Sequence, residues 1–224
     1  MRQRPFFASP GWLAALAGIA LVAGAAQWLS GGSGRNAAPP SLPPSEAAFF
    51  DDPVAPAITP EGYDLTIVIY SDYQCPYCRA LDGAVHRLIE EDSHIRVVFR
   101  DWPVLGPASM EAARAAIASQ WQGKHPEFHK ALMALPGRLS TSAIRTAAEE
   151  AGVDWPRLQA DLTSHAAEID ALIARNTRQA AQLGFIGTPA LLIGRYRVPG
   201  AVDLPRLREI VQLAREEQAN RPRS

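Results

Sequence analysis

The residues of this chain that could do chemistry are its two cysteines, Cys75 and Cys78, which enclose the dipeptide Pro-Tyr. A cysteine thiolate, not the thiol, attacks disulfides, and a second cysteine two residues further on can resolve the resulting mixed disulfide. The pattern predicts a buried strand before the pair, over Leu65–Tyr70, and a helix over Cys75–Glu91. Because a helix N-terminus stabilises negative charge, Cys75 is the candidate nucleophile and Cys78 the candidate resolving thiol.

Other roles for the pair are weaker. A structural disulfide closing so short a loop would contribute only about 2 kcal/mol. Structural zinc needs four ligands, and Pro126 is predicted to place His125 before a helix, off the face of His129. Two-coordinate Cu(I) on the thiolates is the alternative function, as a metal-handling module. A chaperone whose cysteines are idle is a third. The main interpretation needs no metal and no cofactor.

The N-terminal residues predict export from the cytoplasm. Arg2 and Arg4 precede an apolar stretch, residues 10–30, which Trp12 and Trp28 bracket at a spacing that fits the two interfaces of a membrane. We expect a cytoplasmic N-terminus (1–9), a single transmembrane helix and an extracytoplasmic domain anchored to the inner membrane. Alternatively, a signal peptide is cleaved and the protein is soluble in the periplasm. A disulfide can persist in either location.

The rest of the chain is predicted to be a linker and one α/β domain. Residues 31–52 are rich in Gly, Ser, Ala and Pro, as in flexible linkers, and a short turn of helix is an alternative for Glu46–Asp52. The domain spans residues 53–218, with an all-helical insertion at about 105–183 and a tail at 219–224. The elements outside the insertion are the strands Leu65–Tyr70, Ile95–Arg100, Ala190–Ile193 and Tyr196–Val198, the helix Cys75–Glu91, and a last helix capped by Asp203.

The order βαβ, helical insertion, ββα is that of a thioredoxin fold. Three runs make the chain resemble the DsbA family of extracytoplasmic thiol–disulfide oxidoreductases: Thr66–Arg79 around the cysteines, Val98–Pro103, and Gly187–Ala190. The resemblance covers roughly Pro53–Ala214. It implies a protein disulfide oxidoreductase whose partners are client proteins with thiols or disulfides, and a membrane-bound or soluble redox partner. A net charge of −1 gives no reason to expect nucleic-acid binding.

The resemblance also assigns residues around the cysteines. The family carries a cis-proline loop opposite the motif, which implies that Thr188 and Pro189 contact substrate. Tyr73 and Gln74, beside the motif, are further candidates for substrate binding. Many members have an acidic residue six positions before the nucleophile, where this chain has Ile69. Asp72 is the nearest acid and is the candidate proton relay.

The residues between the cysteines tune the redox equilibrium. Pro76 suits the first helical turn. Strong oxidants of the family carry a histidine where this chain has Tyr77, which supplies no positive charge to the thiolate. Thr188 before the proline resembles the isomerase and reductase branches. These features predict a weaker oxidant, and they leave oxidase, reductase and isomerase directions open.

Overall fold

The computed structural model describes residues 49–220 of the chain. It contains a five-stranded sheet and seven α-helices in this part of the chain. In chain order they are β1 (Ala57–Ile58), β2 (Leu65–Ser71), α1 (Pro76–Glu91), β3 (Ile95–Asp101), α2 (Pro107–Ala118), α3 (His125–Ala134), α4 (Thr141–Glu150), α5 (Trp155–Ser164), α6 (Ala166–Gln182), β4 (Ala190–Ile193), β5 (Tyr196–Pro199) and α7 (Leu204–Ala219).

The sheet has the strand order β1-β3-β2-β4-β5. Strands β2 and β3 are parallel, in a register that places Leu65 opposite Ile95. Strand β4 is antiparallel to β2, and β5 is antiparallel to β4. The predicted βαβ unit and the predicted hairpin are therefore confirmed. Strand β1, antiparallel to β3, was not predicted, because two residues are too few to show a period.

Helices cover both faces of the sheet. On one face, Ile67 and Ile69 of β2 pack in a core with apolar residues of α1 and α7. On the other, Val68 and Tyr70 pack in a core with residues of helices α2 to α6. Successive side chains of a strand point to opposite faces, so a central strand buried on both is apolar throughout. The predicted thioredoxin-like α/β fold with a helical insertion is confirmed.

The folded region includes residues that the sequence analysis placed in the linker. Phe49 is buried in the core on the side of the helical insertion. Asp52 forms ion pairs with Arg100 of β3, at 2.5 Å, and with Arg175 of α6, at 2.7 Å. Arg100 is completely buried and also donates to the carbonyl oxygen of Phe49. Residues 49–52 therefore pack as part of the domain and not as a free linker.

The predicted anchor, residues 10–30, lies outside the described residues. Within 49–220, no helix combines the length and the apolar character needed to cross a membrane. The predicted cap of the last helix is confirmed, because the side chain of Asp203 accepts a hydrogen bond from the first turn of α7. Ser140 and Asp154 cap α4 and α5 in the same way.

Candidate active site

Cys75 lies at the junction of β2 and α1. It is the N-cap residue of α1, and its carbonyl oxygen accepts hydrogen bonds from the N–H groups of Cys78, at 3.1 Å, and Arg79, at 3.2 Å. Its Sγ lies 3.4 Å from the carbonyl oxygen of Thr188, in the loop before β4. Both cysteines are free thiols. Cys75, the predicted nucleophile, thus lies where a helix N-terminus meets the loop that contains Thr188.

The loop opposite Cys75 has the geometry that the resemblance implied. The Thr188–Pro189 peptide bond is cis. Thr188 is half-buried, whereas Pro189 is buried at the entrance to β4. Because the backbone of Thr188 is next to the Cys75 thiol, this loop and the motif form one site.

Cys78 lies beneath Cys75 and is 2% exposed. Its Sγ accepts a hydrogen bond from the backbone N–H of Asp72 at 3.5 Å. Burial raises the pKa of the Cys78 thiol to about 12, and the hydrogen bond from Asp72 offsets this only partly. The Cys78 thiol is therefore protonated at neutral pH.

Asp72, the predicted proton relay, holds a loop beside the motif in place. Its Oδ1 accepts hydrogen bonds from the backbone of Gln74 and the hydroxyl of Ser109, at 2.8 and 2.7 Å. Its Oδ2 accepts from the backbone N–H groups of Val104 and Leu105, at 2.8 and 2.9 Å. With four donors on its two oxygens, this buried carboxylate ties the β3–α2 loop to the motif. The role of Asp72 as a proton relay stays a prediction beside this structural one.

Tyr73 and Gln74, the further candidates for substrate binding, have internal hydrogen-bond partners. Tyr73 is 1% exposed, and its hydroxyl is 2.9 Å from Nδ1 of His129, so its side chain offers no surface to a client. Gln74 is half-buried and uses its side-chain amide within the protein, donating to Leu105 and accepting from Leu139. Both residues support the site from inside, because their partners come from distant helices and loops that the sequence does not reveal.

Two histidines and an aspartate cluster behind Tyr73. The expectation that Pro126 would separate His125 from His129 is wrong, because α3 begins at His125 and the two rings lie 5.8 Å apart. Ligand atoms of these histidines and of Asp101 lie within 4.8 Å of one another, so the three could approach a metal ion. However, His129 already uses both ring nitrogens, toward Tyr73 and Asp82. It would have to break one of these hydrogen bonds to bind a metal.

A small cavity lies below Cys78. It has about 10 Å³ of space for the centre of a water molecule. The residues that line it are Ile69, Ser71, Cys78, Leu81, Asp82, Val85, His129 and Met133. Sequence reasoning missed Asp82 and His129. The spacing of Asp82, four residues after Cys78 on a helix, is the signal that could have identified it.

Apolar side chains are exposed on three segments around the motif. Tyr77, in the motif itself, is 68% exposed. Val104 and Leu105 are exposed on the β3–α2 loop that Asp72 holds in place, and Ile186 is fully exposed two residues before Thr188. Exposed apolar groups clustered at one place are typical of a binding surface.

Known proteins are similar to most of this domain. The family model for the DSBA-like thioredoxin domain matches residues 66–212. The crystal structure of a thioredoxin-like oxidoreductase from Silicibacter pomeroyi DSS-3 is 40% identical, with a TM-score of 0.72, over 76% of this chain and 98% of that chain. The thiol-disulfide exchange protein alpha-DsbA2 from Wolbachia pipientis is 32% identical, with a TM-score of 0.69, over 72% of this chain and 88% of that chain.

A curated relative is a longer protein. The chain is 30% identical over 166 residues to a Na(+)/H(+) antiporter NhaA 1 from Salinispora arenicola, covering 73% of this chain and 25% of the antiporter. This chain spans about a quarter of the length of the curated relatives it matches first. The family match, in contrast, includes the whole motif, the helical insertion and the cis-proline loop. The chain belongs to the DSBA-like thioredoxin domain family and has the fold of its thiol–disulfide oxidoreductases.

Proposed function

We propose that this protein exchanges disulfides with client proteins, with Cys75 as the nucleophile and Cys78 as the resolving thiol. The observation that carries the proposal is the different placement of the two thiols. Cys75 lies at the N-cap of α1 beside the Thr188 carbonyl, and Cys78 lies deeper with a raised pKa. A helix N-terminus favours the thiolate that attacks.

In the proposed exchange, each disulfide bond that forms is matched by one that breaks, in both directions. In reduction of a client, the Cys75 thiolate attacks a client disulfide, forms a mixed disulfide and releases one client thiolate. Cys78 then loses its proton and attacks Cys75 Sγ, which forms the internal disulfide and releases the second client thiolate. Oxidation of a client dithiol follows the same steps in reverse.

Client recognition is proposed to use the surface around the motif. We propose that the backbone of Thr188, which lies next to the Cys75 thiol, pairs with an extended client segment. The exposed side chains of Tyr77, Leu105 and Ile186 would contact apolar residues of that segment. Such a surface suits unfolded or flexible clients, because their apolar residues are accessible.

The proposed redox potential depends on the groups near the Cys75 thiolate. Tyr77 brings no positive charge, so the reduced form is less stabilised than in a motif that carries histidine. We propose a weaker oxidant that works with selected clients and a separate redox partner. The extracytoplasmic location and the membrane anchor at residues 10–30 belong to the same proposal. Protease accessibility in spheroplasts tests the location, and membrane fractionation tests the anchor.

Turnover of a peptide disulfide tests the proposed reaction. The wild-type protein should reduce a disulfide-linked peptide, or oxidise its dithiol form, in a glutathione buffer. Cys75→Ser should abolish both activities, and Cys78→Ser should abolish turnover while still reacting once. Equal turnover by wild type and Cys75→Ser would contradict the proposal. Tight stoichiometric binding of Cu(I), without any turnover, would favour the metal-handling alternative.

A further inference from the structure

The proposed reaction requires that Cys78 lose its proton quickly. Because burial raises the pKa of Cys78 to about 12, only about one molecule in 10⁵ carries this thiolate at pH 7. Ile69, on the wall of the cavity below it, has no group that accepts a proton. Asp72 is nearby, but its carboxylate already holds four hydrogen bonds of the β3–α2 loop. Asp72 also does not line this cavity, so a carboxylate that faces it is the better acceptor.

Asp82 lines the same cavity as Cys78. Cys78, Asp82 and His86 follow one another at intervals of four residues, so they lie along one face of α1. The Oδ1 atom of Asp82 is 3.1 Å from Nε2 of His129, and its Oδ2 atom is 3.5 Å from Nε2 of His86. The side chain of His86 is 23% exposed. This face thus leads from a buried thiol to solvent.

The hydrogen bonds on the inner side allow His129 to donate to Asp82. Burial, with Asp101 next in effect, raises the pKa of Tyr73 well above its usual range, so the phenol keeps its proton. The phenol can then donate to Nδ1 of His129, at 2.9 Å. A neutral ring that accepts at Nδ1 carries its proton on Nε2 and donates it to Asp82. His129 therefore holds Asp82 in place as a carboxylate.

The cavity also contains an unsatisfied polar group. The hydroxyl of Ser71 is buried and has no hydrogen-bond partner among the described residues. Ser71 lines the cavity together with Cys78 and Asp82. The cavity has space of about 10 Å³, which is close to the minimum for one water molecule. A buried water needs polar partners such as the Ser71 hydroxyl. One water can therefore bridge the thiol and the carboxylate.

We propose that Asp82 accepts the proton of Cys78 through a water molecule in this cavity, and that His86 passes the proton to solvent. The inference rests on the proposed function. As Cys78 Sγ bonds to Cys75 Sγ, the thiol proton moves to the water, the water gives a proton to Asp82, and the client leaves as a thiolate. In the reverse direction, Asp82 returns the proton to Cys78.

Several titratable groups face this path. His86 approaches Asp82 from α1, and His129 approaches it from α3. Tyr73, Asp101 and His125 lie behind His129. The remaining lining residues of the cavity are apolar and do not titrate; they are Ile69, Leu81, Val85 and Met133.

The test separates the attack by Cys75 from the resolution by Cys78. The reduced protein is mixed rapidly with oxidised glutathione and quenched in acid, and mass spectrometry follows the Cys75–glutathione adduct and the internal disulfide. With Asp82→Asn, the adduct should form at the wild-type rate and should resolve roughly 10²-fold more slowly at neutral pH. Its resolution rate should then rise in proportion to hydroxide concentration. Asp82→Glu, which keeps a carboxylate, should recover much of the rate and the wild-type pH profile.

Glu90→Gln is the matched control, because it removes an exposed acid from the same helix. It should change neither rate. If Asp82→Asn resolved the adduct at the wild-type rate and with the wild-type pH profile, this inference would be overturned. The proposed function would remain intact. If the wild-type protein formed neither the adduct nor the internal disulfide, the proposed function would itself fail, and with it this inference.

Discussion

At the residue scale, two identical side chains differ because of their surroundings. Cys75 caps a helix and faces the Thr188 carbonyl, whereas Cys78 is enclosed under it and has a raised pKa. Desolvation disfavours the charged thiolate, and hydrogen bonds from Asp72 and Thr188 compensate only in part. The proposed assignment of attack to Cys75 and resolution to Cys78 rests on this difference.

Alkylation should therefore distinguish the two thiols. Iodoacetamide reacts with thiolates, so the native reduced protein should be labelled at Cys75 and not at Cys78 between pH 7 and 9. Because burial raises the pKa of Cys78 to about 12, its labelling should increase only as the pH approaches that value or the protein unfolds. Peptide mapping by mass spectrometry measures both sites, and equal labelling at neutral pH would argue against the assignment.

Tyr77 should set the redox potential. In Tyr77→His, a protonated histidine would stabilise the Cys75 thiolate and hence the reduced form. We expect a potential at least about 30 mV more positive, which is a tenfold change in the equilibrium constant. Titration with glutathione measures this potential. Tyr63→His, which changes an exposed tyrosine outside the motif, is the control and should leave the potential unchanged.

At the element scale, the site depends on contacts between segments far apart in the chain. Asp72 fixes the β3–α2 loop, and Asp52 joins residues before β1 to β3 and α6. Arg100 is completely buried, and Asp52 is its ion-pair partner. Removal of one member of such a pair leaves a buried charge uncompensated.

Asp52→Ala should therefore destabilise the domain by about 3–5 kcal/mol, measured as the free energy of unfolding in urea. Burial alone would raise the pKa of Asp52, but hydrogen bonds from Arg175 and Arg100 hold it below its usual value. This stabilisation is present above the usual carboxyl pKa and is lost as the pH falls through the lowered one. The acid-dependent loss should be smaller in the variant.

Asp51→Ala is the neighbouring control. Asp51 pairs with Arg96 at 3.5 Å and its side chain is 77% exposed, so its removal should cost about 0–1 kcal/mol. Similar costs for the two substitutions would mean that residues 49–52 do not anchor the domain as described.

At the scale of the whole molecule, the sequence predicts those features of the fold that short stretches of residues determine. The β-branched run of β2, the capping residue of α7 and the position of Cys75 at a helix start are all readable in short windows. The two-residue strand β1 is not, because only its pairing with β3 makes it a strand.

The inner part of the site was beyond prediction for the same reason. Tyr73 is adjacent to the motif and was a candidate for substrate binding, and its side chain turns inward to His129, 56 residues later in the chain. Asp82 acquires a role only because α3 packs on α1 and brings His129 to it. Such contacts depend on how helices of the insertion are arranged, which a single sequence does not specify.

The most direct test of the central claim is to trap the mixed disulfide. Cys78→Ser is incubated with a disulfide-linked peptide, quenched with acid and digested, and the adduct is located by mass spectrometry. The account predicts a stable adduct on Cys75, which Cys75→Ser lacks and the wild-type protein resolves to an internal disulfide. If Cys78→Ser accumulated no adduct, or if Cys78 reacted equally fast in Cys75→Ser, the assigned roles would be contradicted.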